Sequence, residues 1–298
     1  MPGLRIIDPH QHFWKLDESH SYPWLQKQPL GPSVAGDLSK IAHNYLVDDY
    51  LRDTSGFTMV KSVHVEALAQ DPIAETKWLQ QLADAAGFPH GIVARAELHL
   101  PDVEGVLAQH CQYRNVRSIR HIVNWHKDPK VTYIERSDLL TNDAWLRGFA
   151  LLRKYGLAFD LQLYPSQMKD AAAVANRHSE TQIILNHAGM PVDRNAAGIA
   201  TWRAGMRALA ANDNVSVKIS GLGMVDWNWT TASIRPFVLE TIDFFGTERA
   251  MFASNFPVDK IYSDFNRLYG AFSDIVQGFS ESERAKLFHD NAERIYRI

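Results

Sequence analysis

Two histidines spaced two residues apart mark the segment of the sequence best suited to chemistry. The first apolar run ends in Asp8-Pro9-His10-Gln11-His12. Because residues two apart on a β-strand point to the same side, the imidazoles of His10 and His12 can face one common space. A single histidine is more often structural, but a same-face pair at a strand end is a common start for a metal or anion site. The spacing therefore predicts one wall of a polar site.

Further candidate residues end three other apolar runs: Glu66, the pair Arg120 and His121, and His187. Arg120 and His121 are adjacent, so on a strand only one of them can face the site. We favour Arg120 as a clamp for a carboxylate or carbonyl, because its guanidinium offers paired donors; an ion pair with a neighbouring helix is the alternative. Lys218, inside another run, fits a structural ion pair. His187 would supply a third imidazole.

Eight apolar runs alternate with segments of helical spacing, which is typical of βαβ units. The runs begin at Arg5, Val60, Gly91, Val116, Ala158, Thr181, Val215 and Ala250. This pattern predicts an α/β fold, a (β/α)8 TIM barrel of eight parallel strands surrounded by helices, as one domain over residues 1–298. The carboxyl ends of barrel strands meet at one mouth, so the polar residues listed above would gather there although they are far apart in sequence.

Composition excludes several classes of function. The 298 residues carry a formal net charge of −3, which provides no basic field for nucleic acid or an anionic membrane. One cysteine, Cys111, can build neither a disulfide framework nor a thiolate metal site. No window approaches the length of apolar sequence that spans a membrane. We expect a cytoplasmic protein with a small-molecule partner and no nucleic-acid or membrane partner; a homo-oligomer is compatible with the sequence.

A long insertion separates the first strand from its helix. Residues 13–44 contain Trp14, Tyr22 and Trp24 together with several prolines and glycines, which predicts a loop at the barrel mouth. Two interpretations stay open, a packed aromatic flap and a lid over the substrate. The second interpretation makes Trp14 a substrate contact.

The motifs occur in the order of a known family. They are Asp8-x-His10-x-His12, Arg117-Ser118-Ile119-Arg120-His121, Asn186-His187-x-Gly189-x-Pro191, Lys218-x-Ser220-Gly221 and Ser254-Asn255-Phe256-Pro257. In this order, over essentially the whole chain, they resemble the amidohydrolase-related family of TIM-barrel hydrolases, which includes sugar lactonases of the fuconolactonase type and 2-pyrone-4,6-dicarboxylate lactonase. The resemblance implies that activated water opens the lactone of a small sugar acid or carboxylated ring. It also implies that His10, His12 and His187 either bind a divalent metal, zinc or manganese, or contact the substrate directly in a metal-independent site.

One position departs from the family pattern. The eighth strand of the family usually carries an aspartate that activates water, and this chain has Asn255 there. An amide cannot accept a proton at neutral pH, so Asn255 is expected to donate to substrate or water instead. Asp259, Glu66 or one of the histidines of the rim would then take the proton. The alternative for Asp259 is a surface ion pair with Lys260.

Two other functions remain open at this point. The first is a metal-dependent decarboxylase of the same superfamily, in which the same histidines hold the metal. The second is a non-catalytic barrel that only binds a ligand, since the usual base is absent. Release of carbon dioxide would distinguish the first, and binding without turnover the second.

Overall fold

The computed structural model describes residues 4–18, 20–31 and 33–298; residues 19 and 32, which fall in the insertion, lie outside the described part. Eight parallel strands form one sheet in the order of the chain. The strands are β1 (Arg5–Gln11), β2 (Thr58–Val65), β3 (Gly91–Arg95), β4 (Val116–Arg120), β5 (Ala158–Leu161), β6 (Ile183–Leu185), β7 (Val215–Ile219) and β8 (Ala250–Phe252). The chain therefore folds as the predicted (β/α)8 TIM barrel.

Helices follow the strands and surround the barrel. They are α1 (Pro23–Gln26), α2 (Val47–Asp53), α3 (Pro72–Ala86), α4 (Val103–His110), α5 (Asp143–Lys154), α6 (Met168–Arg177), α7 (Ala196–Ala210), α8 (Thr231–Phe245), α9 (Phe265–Ile275), α10 (Glu281–Ala285) and α11 (Asn291–Tyr296). Local sequence defines their ends: Asp71 accepts hydrogen bonds from two amides of the first turn of α3, and Gly87 ends it with a φ of 76°. No helix in the described ranges has the length and apolarity to cross a bilayer.

The first and last strands meet at the barrel mouth. Gln11 forms a parallel bridge with Phe256, and the amide of Asn255 donates to the carbonyl oxygen of His10 at 2.7 Å. The hydroxyl of Ser254 donates to Asp8 Oδ2 at 2.6 Å, and the Ser254 amide donates to Asp8 Oδ1 at 2.9 Å. This closure brings the histidine motif of β1 next to the segment after β8.

The C-terminal helix closes the opposite end of the barrel. Ala292, Ile295 and Tyr296 of α11 pack with barrel-interior residues that include Ile7 and Val93. The side chains of these residues are almost completely buried, so the lower part of the barrel is a filled core. Ligand access is left to the carboxyl ends of the strands.

Candidate active site at the barrel mouth

A cavity opens at the carboxyl ends of the strands. It is lined by His12, Trp24, Ser33, Ala35, Ala67, Leu68, Arg120, Ile122, Tyr133, Gln162, His187, Met224, Asn255 and Val258. Its wall is mainly apolar with a few polar groups, which is typical of small-molecule sites. Four of the residues singled out from the sequence, His12, Arg120, His187 and Asn255, line this cavity together.

The three histidines converge as the sequence predicts. The ring centroid of His10 lies 5.1 Å from that of His12 and 4.5 Å from that of His187. His12 and His187 line the cavity, whereas His10 is completely buried between them. The backbone of His187 is left-handed, with φ of 56°, a conformation that is rare outside glycine and concentrated at functional sites.

Hydrogen-bond partners determine which nitrogen of His12 carries the proton. Nδ1 lies 2.7 Å from the carbonyl oxygen of Val65, which only accepts, so Nδ1 carries a proton. Burial, followed by the nearby Arg120 charge, lowers the pKa of His12 to about 3. At neutral pH the imidazole is therefore uncharged, and its Nε2 offers a lone pair.

His10 has a different set of neighbours. Its Nδ1 lies 3.4 Å from the ammonium of Lys218, which also donates to Asp160 at 2.6 Å. Its Nε2 is buried and has no hydrogen-bond partner among the described residues. Burial, followed by the Lys218 charge, holds the pKa of His10 well below its usual value. The ion pair predicted for Lys218 is thus present, and it touches the site.

Asn255 links His12 to a buried carboxyl group. Its Oδ1 lies 3.4 Å from His12 Nε2, and its Nδ2 donates to Asp259 Oδ1 at 3.2 Å. Asp259 is 2% exposed, and burial raises its pKa to about 7. Lys260 pairs with Asp53 instead, so the alternative of a surface ion pair for Asp259 is wrong. Asp259 itself does not line the cavity.

Arg120 faces the cavity. It forms an ion pair with Glu66, which directly follows β2, and not with a residue of a helix as the alternative prediction had it. Nε donates to Glu66 Oε1 and Nη2 to the Glu66 carbonyl oxygen, each at 2.6 Å, and Nη1 donates to Gln162 Oε1 at 2.9 Å. Glu66 Oε2 accepts the amide of Leu68 at 2.8 Å. Both oxygens of Glu66 are therefore engaged, and the carboxylate orients Arg120 instead of serving as a free base or a direct substrate contact.

Two residues that the sequence predicts as substrate contacts do not line the cavity. His121 points out of the barrel, where its Nδ1 accepts hydrogen bonds from the amide of Leu98 and from Trp145 Nε1, so it does not line the cavity. Trp14 is 0% exposed and donates to the carbonyl oxygen of His43. The insertion thus contains a packed aromatic group, in agreement with the flap interpretation for Trp14.

Other residues of the insertion and of a later loop reach the cavity instead. Trp24 of α1 lines it and packs against Trp14 with ring centroids 5.6 Å apart. Tyr133 lines it from the loop between β4 and α5. The aromatic content of the insertion could have indicated Trp24, whereas nothing in its local sequence distinguishes Tyr133.

A family model described as Amidohydrolase matches residues 7–298. The chain belongs to the amidohydrolase family. A protein of uncharacterised function from Sinorhizobium fredii is 47% identical over the full length of both chains. L-fucono-1,5-lactonase from Burkholderia multivorans is 28% identical, over 99% of this chain and 97% of that protein. The family match and these relatives identify the chain as a hydrolase of the amidohydrolase superfamily.

Solved structures agree with the fold of this amidohydrolase. An amidohydrolase from Burkholderia multivorans with bound zinc has a TM-score of 0.82 and 26% sequence identity, and the match covers 98% of this chain and 99% of that chain. A candidate 2-pyrone-4,6-dicarboxylic acid hydrolase from Pseudomonas putida has a TM-score of 0.71 and 20% identity, with 99% and 98% covered. The similarity to the Pseudomonas putida protein, at 20% identity, supports the fold alone.

A divalent metal is suggested by the zinc-bound relative and by one group of side chains. Among the described residues, ligand atoms of Glu97, His99 and His121 lie within 4.8 Å of one another. Because His121 Nδ1 accepts two N–H groups, the proton of its neutral ring is on Nε2, which lies 2.7 Å from Glu97 Oε2. A metal ion bound to His121 there would have to displace that proton.

The three histidines at the mouth also fit a metal incompletely. A metal-bound imidazole gives a lone pair from one nitrogen and donates the proton on the other to an acceptor. His12 satisfies this requirement through Val65. His10 does not, because its Nδ1 faces the ammonium of Lys218, which has no lone pair to accept a proton. The histidines at the mouth therefore fit a metal at His12 but not at His10.

Proposed function

We propose that this amidohydrolase opens the lactone of a small sugar acid or carboxylated ring by adding water to the ester carbonyl. The observation that carries the proposal is one cavity in which a neutral imidazole, a guanidinium and the Asn255 amide meet. The relationship to L-fucono-1,5-lactonase over nearly the whole chain supports the substrate class. No nucleophilic serine or cysteine is needed, because a lactone is an activated ester that water attacks when it is positioned and deprotonated.

In the proposed reaction His12 accepts the proton of the attacking water, whose oxygen bonds to the ester carbonyl carbon. When the bond between that carbon and the ring oxygen breaks, the imidazolium gives the proton to the ring oxygen, which leaves as a hydroxyl. Nε2 of His12 has the lone pair, and the residue lines the cavity. The imidazolium that forms would donate from Nε2 to Asn255 Oδ1, while Asn255 Nδ2 donates to an ionised Asp259. Asp259 thus stabilises the charge on His12 through the amide, as a positioning residue that does not touch the substrate.

Arg120 binds the oxygen atoms of the substrate. A guanidinium has five N–H donors, and Glu66 and Gln162 occupy three of them. Two donors are left for a carboxylate or for the carbonyl oxygen, whose negative charge grows as water adds. Burial of Arg120 to 4% exposure strengthens these contacts, because little water competes for the donors.

A pH-indicator screen of the purified protein against sugar-acid lactones, including L-fucono-1,5-lactone, tests the proposal. The screen is run with chelator and, separately, with added zinc or manganese. We expect turnover that survives chelation and is lost in His187→Ala but kept in His43→Ala, which removes an exposed histidine on the insertion. Failure to hydrolyse any lactone under all three conditions would refute lactone hydrolysis. Carbon dioxide released from carboxylated rings would instead favour a decarboxylase.

A further inference from the structure

We propose that Tyr133 determines substrate specificity by binding a hydroxyl group of the lactone on the ring carbon next to the ester carbonyl, beside Arg120. This role of Tyr133 deepens the proposed function and rests on it for the identity of the reaction. It narrows the substrate from sugar-acid lactones and carboxylated rings to lactones with a hydroxyl on that carbon. Tyr133 touches the substrate but transfers no proton in the reaction.

Buried residues hold the backbone around Tyr133 in place at the cavity. The amide of Tyr133 donates to the carbonyl oxygen of Asn124 at 2.9 Å, and the hydroxyl of Tyr164 donates to the carbonyl oxygen of Val131. Asn124 follows β4 and Tyr164 follows β5, and both are completely buried. The ring of Tyr164 also lies 6.5 Å, centroid to centroid, from that of Tyr133. Two strand ends therefore fix the position of Tyr133 before a substrate binds.

The hydroxyl of Tyr133 lies on the inner side of the residue. Tyr133 lines the cavity and is 37% exposed, yet burial raises the pKa of its hydroxyl to about 12, while the charge of Arg120 acts to lower it. One edge of the ring therefore faces solvent, and the hydroxyl lies in the cavity near the guanidinium. In the part of the chain that the structure describes, this hydroxyl has no hydrogen-bond partner. It is available both to donate to a ligand and to accept from one.

The charges around the cavity favour a neutral partner for this hydroxyl. Arg120 is the only lining residue in the described ranges with a permanent positive charge, and its two remaining donors are needed for the carbonyl oxygen. A carboxylate at Tyr133 would then be buried without a cation of its own, at a high cost in free energy. A hydroxyl hydrogen-bonds to the phenol and adds no charge. Because Tyr133 and Arg120 act on the same part of the cavity, this hydroxyl belongs to the carbon next to the carbonyl.

Hydrolysis of L-fucono-1,5-lactone and of its 2-deoxy analogue measures this contact. Tyr133→Phe keeps the ring and removes the hydroxyl, so kcat/KM for the parent lactone should fall about tenfold while that for the 2-deoxy analogue stays at the wild-type value. Tyr113→Phe is the matched control, because Tyr113 precedes β4 at the amino end of that strand, opposite the mouth, and both rates should be unchanged. Equal losses with the two lactones in Tyr133→Phe, or no loss with either, would overturn the assignment, since a purely structural change affects both alike.

Binding of lactate and propionate tests the same contact without turnover. Lactate has a hydroxyl on the carbon next to its carboxylate and propionate does not; the carboxylate stands in for the ester carbonyl at Arg120. In isothermal titration calorimetry one enantiomer of lactate should bind the wild type about tenfold more tightly than propionate, and Tyr133→Phe should remove the difference. If neither enantiomer binds more tightly than propionate, or if the difference persists in Tyr133→Phe, the role of Tyr133 is wrong even when lactones are hydrolysed. If the difference is as expected but no lactone is hydrolysed, the proposed reaction fails and the contact of Tyr133 stands.

Discussion

At the scale of single residues, one amide separates the imidazole of His12 from a buried carboxyl group. Asn255, where the family resemblance implies an aspartate, donates from Nδ2 to Asp259 Oδ1 at 3.2 Å. Because burial raises the pKa of Asp259 to about 7, this carboxyl changes its charge near neutral pH. The amide between them can transmit that charge to His12, since one end donates and the other accepts.

Removal of the Asp259 charge tests this coupling. In Asp259→Asn the imidazolium of His12 loses its stabilising carboxylate, so kcat/KM should fall about a hundredfold. In the wild type kcat/KM should rise with pH through about 7 as Asp259 ionises, and Asp259→Asn should remove that rise. Initial rates of lactone hydrolysis across the pH range measure both effects.

Asp264→Asn is the matched control for that experiment. Asp264 is exposed five positions further on and caps α9 by accepting the amide of Arg267, a function that asparagine performs equally well. Its rate and pH profile should match those of the wild type. A pH profile of Asp259→Asn that still rises through neutral pH would show that another group is responsible.

At the scale of elements, the segment after β7 supports two parts of the site at once. Gly221 has a φ of 61°, and its backbone donates to Asp259. A Cβ atom at this position would lie 2.5 Å from Nδ1 of His187, which is the nitrogen hydrogen-bonded to Ser220. Glycine is therefore required there for two reasons, the left-handed backbone and the close approach of the imidazole.

Gly221→Ala should displace His187, and its kcat/KM for a lactone should fall about a hundredfold. Gly156→Ala is the matched control, because Gly156 has nearly the same φ, 63°, but its Cβ position has no atom within 4 Å. Backbone strain should cost both variants about 1 kcal/mol of stability, and Gly221→Ala should lose more because its Cβ also meets His187; urea unfolding measures both losses. Equal losses of activity in the two variants would contradict a specific contact with His187.

At the scale of the whole molecule, the barrel buries several carboxyl groups that are uncharged at low pH. Burial raises the pKa of Asp8 to about 6 and that of Glu75 to about 8. Glu75 is 2% exposed and accepts the amide of Ala67 at 3.1 Å. A group whose pKa is higher in the folded than in the unfolded protein stabilises the fold below its unfolded pKa, and that contribution is lost as pH rises through the folded pKa.

Ionisation of Glu75 should therefore make the free energy of unfolding about 3 kcal/mol smaller at pH 8 than at pH 5, whereas buried histidines such as His12, whose pKa is lowered, act in the opposite direction. Glu75→Gln keeps the acceptor for Ala67 and cannot ionise, so its stability relative to the wild type should increase by about 3 kcal/mol between these two pH values. Glu104→Gln, an exposed control on α4, should retain the dependence of the wild type. Urea titrations at both pH values measure the differences, and parallel curves for all three proteins would contradict the prediction.

Local sequence alone determined the architecture and most of the rim of the site. The alternation of apolar runs and helical segments predicts the barrel because strand and helix periodicities are local properties, and barrel geometry then brings His10, His12 and His187 together. Only the tertiary structure decided which ring nitrogens carry protons, that Glu66 orients Arg120, and that Trp24 reaches the cavity while Trp14 is buried. Each of these depends on partners distant in sequence, such as Val65 for His12 and Lys218 for His10, and periodicity contains no information about such contacts.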